Sequence, residues 1–266
     1  MGASSASVIH GRTRTALTFT VIALVGALSA CATATGNDTA SQRELRVFAA
    51  ASLTDTFTTL ANQFEATHPG VNVTLTFDGS SGLATHIIEG SPADVFAAAD
   101  TTTMRTVTDA GFTQHPPTIF TSNSLTVAVP TDNPAHITTW HDITRTDITL
   151  VVCAPQVPCG AATQHLTTSA NIALHPASEE QSVTDVLGKI TTGEADAGIV
   201  YTTDIQRAAG DVTAYPIPDS ANVSSNYPIA ALTGGQQPEL ANEFVEYILD
   251  DTAQHVLNDA GFTPAP

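Results

Sequence analysis

The chain has 266 residues and a formal net charge of −18, with Lys189 as its only lysine. Neutralising nucleic-acid phosphates takes a basic patch, so this scarcity of cations excludes nucleic acid as a partner. The acidity serves solubility and is no guide to a ligand.

In chain order, Arg12 and Arg14 precede an apolar stretch from Ala16 to Ala27 that ends in Leu28-Ser29-Ala30-Cys31. This is the pattern of a secretory signal with a bacterial lipoprotein box. Residues 1–30 are expected to be removed and Cys31 to be lipidated, which would hold the exported chain on the outer face of the bacterial cytoplasmic membrane. Residues 31–43 are small and polar, as a tether should be. No later segment is long and apolar enough to cross a bilayer.

The remainder alternates strands and helices. Leu45 to Ala49 reads as a buried strand, and Leu53, Phe57, Leu60 and Phe64 then recur at helical spacing up to His68-Pro69-Gly70. Val71 to Phe77 is a strand, Gly82 to Glu89 a helix and Ala93 to Ala98 a buried strand. Asp100 is placed to cap a helix that breaks at Gly111. Beyond a strand from Ser124 to Val129, the alternation resumes with strand Ile148 to Cys153, helices Gly160 to Thr168 and Val183 to Thr191, and strand Ala197 to Tyr201. A strand from Tyr227 to Leu232 and one amphipathic helix from Pro238 to Leu257 complete the pattern. Such alternation predicts two α/β units with mostly parallel strands, linked by crossing strands near Ser122–Val127 and Asn226–Ala230.

Four short turns each open a helix: Ala50 to Thr54, Asp78 to Leu83, Val157 to Ala161 and Ser182 to Thr184. Helix N-termini present unpaired N–H groups and partial positive charge, so several meeting at one point make a neutral cradle for an oxyanion. Three of these turns follow a strand, where ligands of open α/β sheets sit; the turn before Val183 reads as following a loop. Taken alone, Ser52 is an ordinary helix cap, and Ser80 and Ser81 belong to a tight glycine turn. At equivalent ends of neighbouring strands they become candidate ligand groups. Cys159 and Gly160 offer successive backbone N–H groups after Pro158. Tyr201 ends a core strand, a position more often used for packing.

Cys153 and Cys159, in an exported and oxidising setting, are spaced for a local disulfide. The histidines are scattered without metal-ligand spacing. There is no G-x-S-x-G elbow, H-E-x-x-H pair or phosphate loop. Asp94 and Asp100 flank a strand and read as a turn residue and a helix cap rather than a carboxylate pair.

The motifs Val47-Phe-Ala-Ala-Ala-Ser-Leu-Thr54, Phe77-Asp-Gly-Ser-Ser-Gly-Leu83, Pro92-Ala-Asp-Val-Phe96, Val157-Pro-Cys-Gly160 and Gly198-Ile-Val-Tyr201 closely resemble the periplasmic molybdate-binding proteins of ABC importers. The resemblance covers nearly the whole chain beyond the signal. It implies an α/β, two-lobed type II periplasmic-binding-protein fold, each lobe a mostly parallel sheet flanked by helices, with the ligand in the interlobe cleft. Residues 44–123 plus 228–266 would form one lobe and 124–227 the other. Matched motif by motif, the oxyanion would be held by Ser52, Ser80, Cys159, Val183 and Tyr201, with Ser81 the alternative to Ser80. The implied activity is capture of molybdate and tungstate by a monomer that serves an ABC permease and its ATPase. No cofactor, catalytic residue or direct protein–metal ligand is implied, since molybdenum enters only as the oxyanion. A sulfate or other oxyanion receptor is the alternative. A ferric-iron receptor, or a secreted hydrolase with His86 or His165 as base to Ser52, lies further off.

Overall fold

The computed structural model describes residues 43–265; the signal, Cys31 and nearly all of the tether lie outside the described residues. Strand β1 (Arg43–Ala50) buries Leu45, Val47 and Ala49, as its alternation requires. A single 3-10 turn, Ala51–Leu53, leads into α1 (Thr54–Thr67), whose buried Phe57, Leu60 and Phe64 recur at helical spacing. The chain reverses at Gly70, whose φ of +83° is a left-handed conformation that glycine adopts without steric cost. Strands β2 (Val71–Asp78) and β3 (Val95–Ala97) flank β1 in parallel, connected by α2 (Ser80–Ile88). Helix α3 (Thr101–Asp109) is capped by Asp100, which accepts from the Thr103 N–H at 2.7 Å.

Strand β4 (Thr118–Pro130) is longer than the predicted segment and belongs to both halves of the molecule. Then come β5 (Leu150–Cys153), α4 (Pro158–Ala170), β6 (Ser178–Glu180), α5 (Val183–Thr191) and β7 (Ala197–Tyr201). Helix α6 (Thr202–Arg207) and strands β8 (Val212–Pro216) and β9 (Ser224–Ala231) bring the chain back. Helices α7 (Pro238–Leu249) and α8 (Asp251–Asp259) and the short β10 (Thr263–Pro264) close it.

The strand order is β2-β1-β3-β9-β4-β7-β5-β6. Pairs within each half are parallel where a helix intervenes (β1 with β2 and β3, β5 with β6 and β7). The crossing strands are antiparallel. Residues of β4 from Thr118 to Ser124 pair with β9, and from Leu125 onward β4 pairs with β7 and β8. One apolar cluster draws on both ends of the chain, with Phe57, Phe64, Phe120 and Phe244 at its centre and the Phe64 and Phe244 rings edge to face at 5.1 Å. A smaller cluster around Leu83, Phe96 and Met104 covers the opposite face of that sheet. The second lobe's core runs from Leu125 to Ile217. Tyr227 already packs in the first lobe's core.

Two sequence expectations change and a third gains a role. The helix expected from Pro238 to Leu257 is two helices, because Asp250 adopts an extended backbone and caps α8 through the Ala253 N–H at 2.9 Å. The turn before Val183 follows a strand after all, β6, paired in parallel with β5. Asp94 stands at the bend before β3, as expected, and is in addition a buried acceptor, taking the Arg46 N–H at 2.7 Å and the Gln237 N–H at 2.9 Å.

Candidate anion-binding site

All four anticipated turns end at one small cavity of about 20 Å³ between the lobes. Ser52, Ser80, Cys159, Val183 and Tyr201 all line it; among the described residues no Asp, Glu, Lys, Arg or His does. The polar groups of these residues are hydroxyls, backbone amides and the Gln181 carboxamide, most of them at the starts of helices. Cys159 follows Pro158 in the first turn of α4, which has no side-chain cap, and Val183 is the first residue of α5. First-turn N–H groups have no intrahelical acceptor, and the helix dipole adds partial positive charge there.

The serine hydroxyls are each held by a neighbour. Ser80 Oγ is buried and accepts from the Ala99 N–H at 3.0 Å, which leaves its own proton to donate. Ser81, one residue on, lies outside the cavity lining; its Oγ donates to the Gln156 carbonyl at 2.8 Å, across the cleft. Ser52 is not a helix cap. Its Oγ lies 2.9 Å from Tyr227 Oη, and the 3-10 turn it occupies has no side-chain cap bond. Burial pushes the Tyr227 hydroxyl well above its ordinary range, so it keeps its proton and can donate to Ser52.

Tyr201 is the most telling of these residues. Its side chain is 1% exposed, and among the described residues its hydroxyl is the buried side-chain polar atom without a hydrogen-bond partner. Burial raises its pKa against the opposing pull of the neighbouring Ser225 and Tyr227 hydroxyls, which stand close without completing a hydrogen bond of good geometry, so it stays a neutral donor. An orphaned donor costs about 1–3 kcal/mol, which marks a position completed by something else.

The disulfide expected from spacing joins Cys153 to Cys159, with Cα atoms 5.6 Å apart. It ties the end of β5 to the first turn of α4, and so fixes the amide of Cys159. Gly160 extends that constraint, since a Cβ there would meet the Ala154 carbonyl oxygen at 1.8 Å.

Four contributors escaped the sequence reading. Tyr227 supports Ser52, and Ala99 supports Ser80 while lining the cavity. Gln181 faces Gly79 across the cleft, so closely that a Cβ at 79 would lie 2.1 Å from its carbonyl oxygen. Asp204 sits behind Tyr201 and accepts its N–H at 3.0 Å. Burial raises the Asp204 carboxyl to about 6, against the opposing pull of Arg207.

Tyr201 and Tyr227, far apart in sequence, pack with ring centroids 5.9 Å apart. The fold thus brings together two tyrosines that no short stretch of sequence pairs. Ferric coordination needs phenolates, and burial drives both hydroxyls the other way. Among the described residues no three His, Cys, Asp or Glu side chains are grouped to hold a metal. The oxygen beside Ser52 Oγ is that of Tyr227, not an imidazole, so the hydrolase reading has no base there.

Residues 45–263 match the family described as bacterial extracellular solute-binding proteins. The chain is 43% identical over 244 residues to the molybdate-binding protein ModA of Mycobacterium tuberculosis, covering 90% of this chain and 94% of that protein. Its fold superposes on the periplasmic molybdate-binding protein of Azotobacter vinelandii with a TM-score of 0.73, at 19% identity over 84% of this chain and 100% of that one. The sulfate-binding protein SubI of Mycobacterium tuberculosis matches equally well in fold, with a TM-score of 0.74 at 19% identity over 84% of this chain and 87% of that one. A two-lobed receptor with a neutral, donor-lined cleft and this extent of sequence identity is a binding protein rather than an enzyme, and the chain belongs to the bacterial extracellular solute-binding protein family.

Proposed function

We propose that this protein captures molybdate, and tungstate with it, in the cleft between its lobes and hands the anion to an ABC permease with its ATPase. Cys31 would carry the lipid that keeps it at the membrane, and the protein would act as a monomer without a cofactor. Ser52, Ser80 and Tyr201 donate hydroxyl protons to the oxyanion, and Cys159 and Val183 donate backbone N–H groups. The observation that carries this reading is the cavity's chemistry: hydroxyls and amides, no charged side chain, and one hydroxyl left without a partner.

Donors alone suit a dianion that bears no proton near neutral pH. Phosphate would want a carboxylate to accept its proton, and the two carboxylates nearest in sequence are turned elsewhere. Asp78 accepts the Gly79 N–H at 2.7 Å, and Asp55 lines a neighbouring cavity. Hydrogen bonds to a charged partner contribute about 1.5–3 kcal/mol each, so a handful support tight binding after ordering costs.

Sulfate carries the same charge and is smaller, so it should leave some donors out of reach. The sequence identity of 43% to a molybdate-binding relative favours the larger anion. Calorimetry and thermal melting with molybdate, tungstate, sulfate and phosphate test this directly. Ligand at about 100 times its dissociation constant adds roughly 2.7 kcal/mol to the folded state. For a chain of this size that raises the midpoint by about 5–11 °C, at about 2–4 °C per kcal/mol. Molybdate and tungstate should produce such shifts and sulfate a smaller one. A larger shift with sulfate would mean the cleft is built for the smaller anion.

A further inference from the structure

The anion cavity holds no charged side chain, but a guanidinium stands just behind it. Arg207 closes the last turn of α6, where the helix carbonyls favour a cation. It lines a second cavity of about 190 Å³ next to the first, together with Ser52, Asp55 and Asp204. Its Nη1 donates to the Ala51 carbonyl at 3.4 Å, and its Nη2 donates to Thr184 Oγ1 at 3.2 Å. The same Nη2 lies 3.6 Å from Asp204 Oδ1.

The identity of these partners matters. Ala51 belongs to the first lobe and immediately precedes Ser52. Thr184 belongs to the second lobe and immediately follows Val183. Asp204 holds the backbone N–H of Tyr201. One planar group therefore touches the supports of three cavity residues drawn from both lobes. Arg46, Arg145 and Lys189 pair instead with carboxylates of their own lobes, namely Glu44, Asp147 and Glu180. Guanidinium suits this position because it presents fixed donors in several directions, which an ammonium on a flexible stem does not.

Separation of the lobes must break the bond from Arg207 to Ala51, because that bond crosses the cleft while the contacts to Thr184 and Asp204 stay within the second lobe. We propose that Arg207 is a positioning residue that latches the lobes over the captured anion, slowing its release without touching it. The proposal rests on the anion-capture reading above. It also adds what the cavity lacks, a positive charge near the dianion at a distance that demands no desolvated ion pair.

The experiment compares wild type, Arg207→Met and Arg207→Lys by stopped-flow binding and release of molybdate. Met keeps the length and packing of the stem and removes every donor. Arg207→Met should release molybdate roughly 5- to 30-fold faster, the effect of losing one or two modest hydrogen bonds from a charged donor, with the association rate little changed. Arg207→Lys should stay close to Arg207→Met, because one ammonium cannot span Ala51 and Thr184. Arg207→Lys keeps a cation beside Asp204, so its melting temperature without ligand should stay at the wild-type value, since the latch acts only in the closed form; Arg207→Met also takes the partner from the buried Asp204 carboxyl and should melt lower.

Release at the wild-type rate in Arg207→Met overturns the latch. So does a faster release in Arg207→Lys accompanied by an equivalent loss of its ligand-free stability, which would make Arg207 a general support of its lobe. The wild-type titration judges the ligand separately. If wild type binds tungstate, sulfate or phosphate but not molybdate, the ligand reading fails, and the same release comparison with that anion decides the latch.

Discussion

The partnerless hydroxyl of Tyr201 makes a prediction in which ligand-free stability and affinity move apart. In Tyr201→Phe the ring keeps its place against Tyr227, 5.9 Å away, and only the oxygen is lost. Ordinarily, removing a buried hydroxyl breaks a hydrogen bond and destabilises the fold by about 1 kcal/mol. Here no bond of good geometry is made, the nearest hydroxyls being those of Ser225 and Tyr227, so the ligand-free variant should be as stable as wild type or up to about 1 kcal/mol more stable. That corresponds to a midpoint unchanged or raised by at most about 2–4 °C. Affinity should move the other way. Losing one neutral donor to a charged ligand costs about 1.5–3 kcal/mol, or roughly 10- to 150-fold in the dissociation constant. Calorimetric titration with molybdate and a melt of the ligand-free protein supply both numbers. An unchanged dissociation constant would remove Tyr201 from the site. A lower ligand-free midpoint would show that its hydroxyl has a structural partner instead.

Ser52→Ala should weaken molybdate binding by a similar 10- to 150-fold or so. It should also cost about 1 kcal/mol of ligand-free stability through the lost bond to Tyr227, so Tyr227→Phe should match that stability loss; a mismatch by calorimetric melting would break the pairing. Mass spectrometry of the unreduced protein should find Cys153 and Cys159 joined. Replacing both with Ala should lower stability by about 2.4 kcal/mol, the chain-entropy value for so short a loop, whereas free thiols in protein from its native envelope would contradict the pairing. Asp204 should impose a pH dependence on folding. Its folded pKa, about 6, lies above its ordinary 3.8, so the folded state binds more protons between those values. Stability from this group is therefore full below pH ~4 and lost as pH rises through ~6, a span on the order of 3 kcal/mol. Denaturant midpoints at both ends of that window should show the change in wild type and not in Asp204→Asn; parallel curves would rule Asp204 out as the source.

Much of this was legible because the relevant signals are local. Alternation in Leu45–Ala49, the apolar spacing of Phe57, Leu60 and Phe64, and the cap at Asp100 each sit within a few residues of one another. The four cavity turns were visible for the same reason, since a helix start is announced by its own neighbours. What stayed hidden depends on distant partners. The strand Ser178–Glu180 lies at the sheet edge and carries no apolar period, so only its pairing with β5 defines it. The break at Asp250 was masked because apolar residues continue across it, from Ile248 to Ala253 and Leu257. The orientation of Ser52 toward Tyr227, and the meeting of Tyr201 with Tyr227, follow from strand pairing that no short window contains. Ser80 and Ser81 look alike in sequence; only the position of Ala99 on one side and Gln156 on the other separates their roles.

The mixed origin of the first lobe's core has a consequence for the order of events during synthesis. The second lobe's apolar cluster lies within one continuous stretch of chain, Leu125 to Ile217, and can close as soon as that stretch is made. The first lobe cannot. Phe57 and Phe64, laid down early, wait for Phe244, Leu257 and Phe262 at the far end. Until those arrive the nascent chain carries an unfinished half with its aromatic side chains uncovered. If the proposed signal directs the chain through a route that carries unfolded polypeptide, that delay is an asset. The half that leads through is the one whose folding depends on the last residues to follow.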